Sequence, residues 1–79
     1  MITYKNLKLD LLKETKHMLT YEVRENDVIL GVCEVYTQSK FLNLAFQLNI
    51  NAINMDEGHL KSIVTDLTDY FNKNGINTN

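Results

Sequence analysis

Asn54-Met55-Asp56-Glu57-Gly58-His59-Leu60-Lys61-Ser62-Ile63-Val64-Thr65-Asp66-Leu67-Thr68-Asp69-Tyr70-Phe71-Asn72-Lys73-Asn74-Gly75 is the stretch from which the fold follows. Leu60, Ile63, Val64, Leu67, Tyr70 and Phe71 fall at i, i+3, i+4, i+7, the spacing of a single apolar stripe along an α-helix. Both ends carry terminating chemistry. Asn54 is expected to cap the helix, with Glu57 three residues on to complete a capping box. Asp56 and Glu57 suit the positive end of the macrodipole. At the other end Gly75 can take the left-handed C′ position, and Ile76 can fold back on Phe71 as a Schellman motif requires. Glu57/Lys61 and Asp69/Lys73 are i,i+4 pairs in the favourable order, each contributing roughly 0.2–0.5 kcal/mol.

Before the helix come short runs with a period of two. Leu7, Leu9 and Leu11 alternate with Lys8 and Asp10, the mark of a half-buried strand. Ile2 and Tyr4 extend that run, with a change of phase near Asn6. Lys13-Glu14-Thr15-Lys16-His17 is a polar connection. Leu19, Tyr21 and Val23 alternate with Thr20, Glu22 and Arg24 as a second strand. Glu25-Asn26-Asp27 is a turn, because Asn and Asp tolerate left-handed backbone, and the brevity of the join makes a hairpin with the next run.

That third run, residues 28–36, is apolar on both sides. Val28, Leu30 and Val32 are expected on one face, and Ile29, Cys33 and Val35 on the other. Gly31 within it points to a bulge or a close backbone approach. After the turn Thr37-Gln38-Ser39-Lys40, Leu42, Leu44, Phe46, Leu48 and Ile50 share one face of a fourth strand, and Asn43, Ala45, Gln47 and Asn49 the other. The expected fold is α+β: a single domain over residues 1–79, with a four-stranded, mainly antiparallel meander and one C-terminal helix packed on one face, in the order ββββα.

One helix covers one sheet face. If the polar sides of the second and fourth strands lie on the other, that face carries Thr20, Glu22, Arg24, Asn43, Gln47 and Asn49, with the doubly apolar third strand in its middle. Such a face can meet water or a partner, and apolar patches on small proteins mark contacts. A chain of 79 residues has a thin stability margin, no disulfide and no Pro. Association with a second copy is a common remedy, so a homodimer is expected.

Charge narrows the partners. A net charge of −2 with mixed signs lacks the basic stripe of a nucleic-acid binder. Tyr21, Tyr36, Phe41 and Phe46 fall on strands as base-stacking aromatics do, yet only Arg24 and Lys40 accompany them, so packing is their expected role. Met1-Ile2-Thr3-Tyr4-Lys5-Asn6 has no basic n-region before an apolar run, and no signal peptide is expected. No run reaches the roughly 18 apolar residues of a membrane span. The single Cys33 suits a reducing compartment. A cytoplasmic protein with a protein partner, itself included, is expected; nucleic acid and membrane are not. The Asn, Lys and Ile bias resembles that of low-GC bacteria or their phages.

Chemistry-bearing residues are few. Cys33 with His17 or His59 is the thiolate–imidazole combination open to this chain, but Cys33 sits mid-strand among Val and Gly, where Cys packs as a small apolar side chain. His59 lies in the first helical turn, where the dipole disfavours a cation. His17 lies in a polar loop. Asp56, Glu57 and His59 cluster, yet residue 57 points away from the other two, and capping accounts for both acids. The chain has no G-x-S-x-G, P-loop, G-x-G-x-x-G or H-E-x-x-H. No catalytic, cofactor-binding or metal-binding residue is assigned, no cofactor is expected, and an enzyme is not expected.

Residues 21–76 resemble the C-terminal half of GNAT-superfamily acetyltransferases. Glu25-Asn26-Asp27-Val28-Ile29-Leu30-Gly31 is similar to that family's acidic turn and "IVG"-like strand entry; the strand 42–48 and a helix ending in Lys73-Asn74-Gly75-Ile76 follow. The family holds the pyrophosphate of acetyl-CoA with an Arg/Gln-x-x-Gly-x-Gly/Ala turn at the helix start. Here Met55, Asp56, Glu57, Gly58, His59 and Leu60 stand in that place, and only Gly58 matches. Met55 replaces the Arg or Gln, Leu60 is large, and Asp56 and Glu57 put negative charge where phosphates would lie. The resemblance therefore implies a truncated fold without cofactor binding. Three functions follow as expectations: a non-catalytic binding or regulatory protein working through its uncovered sheet face or a strand edge, a phage or mobile-element inhibitor of a host enzyme, or a truncated acetyltransferase-like domain.

Overall fold

The computed structural model describes residues 1–38 and 42–74, the side chain of Asn51 excepted. Among these residues five strands come in chain order, β1 (Ile2–Tyr4), β2 (Leu7–Glu14), β3 (Met18–Glu25), β4 (Val28–Tyr36) and β5 (Asn43–Leu48), followed by a 3-10 turn (Ile50–Ala52) and the helix α1 (Glu57–Lys73). Every neighbouring pair is antiparallel and the spatial order equals the chain order. The α+β class, the antiparallel sheet and the C-terminal helix are as expected. The strand number is five rather than four.

The extra strand comes from a turn at an unlikely residue. Lys5 takes φ 54°, and the chain reverses at Lys5-Asn6, so that Tyr4 pairs with Leu7 and Ile2 with Leu9. The change of phase near Asn6 is this hairpin, not an irregularity in one longer strand. Lysine seldom adopts positive φ, which is why the residue type gave no warning. The β3–β4 turn is conventional. Asn26 (φ 51°) and Asp27 (φ 68°) are both left-handed, Glu25 pairs with Val28, and a two-residue turn of this kind matches the strand twist.

A bulge corrects the expected faces of β4. Val23 pairs with Gly31 and Arg24 with Ile29, so Leu30 is one residue too many for β3. Side-chain alternation slips by one at a bulge. Leu30, Cys33 and Val35 consequently all lie buried on the helix side, while Val32 falls with Ile29 on the other. The split of Val28, Leu30 and Val32 from Ile29, Cys33 and Val35 does not hold. A second bulge leaves Leu12 unpaired between Leu11 and Lys13 on β2.

The core joins one face of the sheet to the helix. Leu7, Leu9, Tyr21, Val23, Leu30, Cys33 and Val35 meet Ile63, Leu67 and Phe71, with Ala52 closing one end. The Phe71 ring centre lies 5.4 Å from that of Tyr21 and 5.0 Å, edge-on, from that of Tyr70. Leu42, Leu44, Phe46 and Leu48 pack against this core but are only partly buried. The reason is where the helix lies. Its first turn reaches Glu25, where His59 Nε2 is 2.7 Å from Oε1, and its later turns are drawn to β1. The Tyr4 hydroxyl donates to Asp69, Lys5 Nζ lies 3.1 Å from Asp66, and Lys73 Nζ lies 3.1 Å from Asp69. The Tyr4 hydroxyl, then Lys73, holds the Asp69 carboxyl below its ordinary range. With Asp66, Asp69 and Lys73 on the β1 flank, helical geometry puts Leu60 and Val64 on the flank toward β5.

The helix ends differ from expectation at the start. Asp56, not Asn54, is the N-cap, and its carboxylate accepts the His59 N–H at 3.2 Å. Glu57 thereby becomes the first helical residue and no capping box forms. The 3-10 turn consumes the residues between, with Ala52 buried and Met55 packed against the core. Ile50, expected on the inward face of the last strand, enters that turn and is 79 % exposed. Both i,i+4 pairs are present, Glu57–Lys61 at 3.6 Å and Asp69–Lys73. The expected Gly75–Ile76 C-terminal motif, the Ser39-Lys40 half of the turn and Phe41 lie outside the described residues.

Candidate functional site

The face of the sheet turned away from α1 is built from four cross-strand rows. Thr3, Lys8, Arg24 and Ile29 form the first; Asp10, Glu22, Val32 and Gln47 the second; Lys13, Thr20, Glu34 and Ala45 the third; Met18, Tyr36 and Asn43 the fourth. None of these residues is buried. Five of the six residues expected on an open face, Thr20, Glu22, Arg24, Asn43 and Gln47, are thus brought onto one surface. Asn49 follows β5, and its N–H donates to the Leu30 carbonyl at 2.7 Å.

The electrostatics of this face centre on Arg24. Asp10 and Glu22 stand directly opposite one another, an arrangement that destabilises a sheet when uncompensated. Arg24 Nε lies 2.8 Å from Glu22 Oε1, and Asp10 and Asp27 add to the field that holds the guanidinium in its charged form. One end of the face is therefore a compensated charge cluster. Along β4, the strand between the β3 and β5 polar residues, the face carries Ile29 and Val32, then Glu34, then Tyr36, so its apolar part is Ile29 and Val32, with Tyr36 set apart by the Glu34 carboxylate. An apolar contribution of β4 to this face is as expected; the grouping of Val32 with Val28 and Leu30 is not, because the bulge at Leu30 changes the phase without marking the sequence.

The chemical candidates are dispersed. Cys33 is fully buried between Tyr21 and Phe46 in its cross-strand row; burial, then Glu34, pushes its thiol up to about 12. No histidine belongs to the core around it. His59 is engaged by Glu25, and His17 lies in the β2–β3 connection, its carbonyl accepting the Thr37 N–H at 2.9 Å. A thiolate–imidazole pair is not assembled. Among the described residues no group of three or more His, Cys, Asp or Glu is placed to hold a metal. Tyr21 and Phe46 face the helix side, which leaves Tyr36 as the one strand aromatic of the described set on the open face. An open cavity of about 330 Å³ lies at the end of the sheet among Glu25, Asn26, Val28, Leu30, Ala52, Asn54 and Met55. Its single ionisable group, Glu25, is the residue already bonded to His59. No described helix is long and apolar enough to cross a membrane. Comparisons of the chain with protein-family models, with curated proteins and with solved structures find no match.

Proposed function

We propose that this chain is a non-catalytic binding protein whose working surface is the sheet face opposite α1. The observation that carries the reading is the composition of that face: an apolar pair on β4, Ile29 and Val32, with Tyr36 beyond Glu34, flanked by the Arg24 charge cluster on one side and by Asn43 and Gln47 on the other. An apolar centre with a polar surround is the anatomy of a protein-binding patch. Each 100 Å² of apolar area covered there contributes roughly 2.5 kcal/mol before ordering costs. The buried thiol of Cys33 suits a reducing compartment.

The acetyltransferase alternative is less well supported. In that family the helix start presents backbone amides to a pyrophosphate; here the Asp56 carboxylate takes the His59 amide itself, and the negative charge repels a phosphate.

The test uses the protein as bait in a lysate of the cells that express it. Val32→Glu sets a charge in the apolar part of the face, beside Ile29, where a carboxylate covered by a partner and left unpaired is strongly disfavoured. Lys61→Glu, on the exposed side of α1, is the control. A partner retained by the wild type and by Lys61→Glu, and weakened roughly tenfold or more by Val32→Glu, is the expected result. Equal capture by Val32→Glu, or no specific capture by the wild type, contradicts the proposal.

A further inference from the structure

We infer that β5 pairs antiparallel with β5 of a second copy, about a two-fold axis at Ala45, to make one continuous sheet. This goes beyond the open-face reading: the partner is a second copy and the surface is the sheet edge.

The two sheet edges differ. β1 has three residues, is followed by Lys5, and is tied to α1 through Tyr4 and Lys5. Shortness, a lysine and a covering element are the usual protections of an edge. β5 has six residues and a strand neighbour on one side only among the described residues. It contains no Lys, no Pro and no Gly. Residues 42–55 carry no charged side chain at all, whereas β2, β3 and β4 each contain charges. An uncharged strand is the kind that can lie antiparallel to its own copy without opposing like charges.

The pairing is also self-complementary. Asn49 directs its N–H toward β4, and backbone direction alternates along a strand. Leu44, Phe46 and Leu48 therefore direct their N–H and C=O groups toward the open edge. A two-fold at Ala45 sets Leu44 against Phe46 and Leu42 against Leu48 on the helix side, and Asn43 against Gln47 on the other. The first four are the side chains left partly buried within one copy. An axis normal to the sheet keeps both helices on the same side. The Leu60 and Val64 flanks then bound the shared Leu44/Phe46 floor, and the groove along Leu60 and Val64, about 470 Å³, faces the partner.

Sedimentation equilibrium at millimolar protein is expected to give twice 9.2 kDa. Ala45→Lys places two ammonium groups against one another at the axis and is expected to weaken self-association by roughly tenfold or more, with the circular dichroism of the fold retained because Ala45 is exposed. Ala45→Cys is expected to oxidise to a covalent dimer much faster than Gln47→Cys, which faces residue 43 of the partner. A wild type at 9.2 kDa, a dimer unaffected by Ala45→Lys, or equal cross-linking of the two cysteine variants each overturns the inference; if Ala45→Lys fails to fold, the cysteine pair decides. Val32→Glu is expected to leave the dimer mass unchanged, so the edge and the open face fail separately.

Discussion

Gly31→Ala is expected to remove about 3 kcal/mol or more of stability. A Cβ at residue 31 would sit 2.1 Å from the Gln47 carbonyl oxygen, with the Gln47 carbonyl carbon at 3.1 Å and the Asn49 amide nitrogen at 3.2 Å. All three are backbone atoms, so no rotamer change relieves the contact. Either β5 backs away from β4, taking Leu44, Phe46 and Leu48 off the core, or the β4 bulge reshapes. Small domains hold only about 5–15 kcal/mol in total, so the loss is a large fraction of what this chain has. Urea denaturation followed by circular dichroism reads it directly. A variant with the wild-type midpoint would show that the β4–β5 approach at Gly31 is not as close as described.

Phe71→Ala is expected to cost about 3–5 kcal/mol. Phe71 has no exposed surface and touches both sides of the interface it closes, Tyr21 on the sheet and Tyr70 on its own helix. Removing the ring leaves a cavity in the core, and α1 loses its ring contact with Tyr21 on β3. Phe46→Ala, at a partly buried position on β5, is expected to cost less than Phe71→Ala when both are measured by urea denaturation. Equal costs, or a Phe71→Ala loss below about 1 kcal/mol, would mean that the helix does not rest on Tyr21.

What could be read from the residues was what repeats. The helix stripe from Leu60 to Phe71, the alternation at Leu19, Tyr21 and Val23, and the left-handed turn at Asn26-Asp27 are periodic or chemically specific, and each lies where its pattern put it. Gly31 reads as a bulge or a close approach; it adjoins the bulge residue Leu30 and itself makes the close approach to β5. What could not be read depends on single residues acting against type. Lys5 turns the chain in place of Asn or Gly, and so a fifth strand passed as an extension of the second. Leu30 is the extra residue of a bulge, buried in the core on the same side as Cys33 and Val35, and that register slip leaves no mark on composition, so the grouping of Val32 with Leu30 fails. The helix start moved from Asn54 to Asp56 because both are capping residues and only the packing of Ala52 and Met55 chooses between them. The open face was legible as polar positions on β3 and β5. That β4 adds apolar residues to it was legible too, but not which ones, because their identity depends on that same bulge.

The central claim is that α1 roofs one side of the sheet and leaves the other side open. Relaxation of the valine methyl signals by a soluble paramagnetic chelate tests it most directly. The Val32 methyls are predicted to broaden strongly, while those of Val23 and Val35, which have no exposed surface, keep their intensity. Protection of Val32 together with bleaching of Val23 or Val35 would place the helix on the wrong side and contradict both the architecture and the binding surface drawn from it.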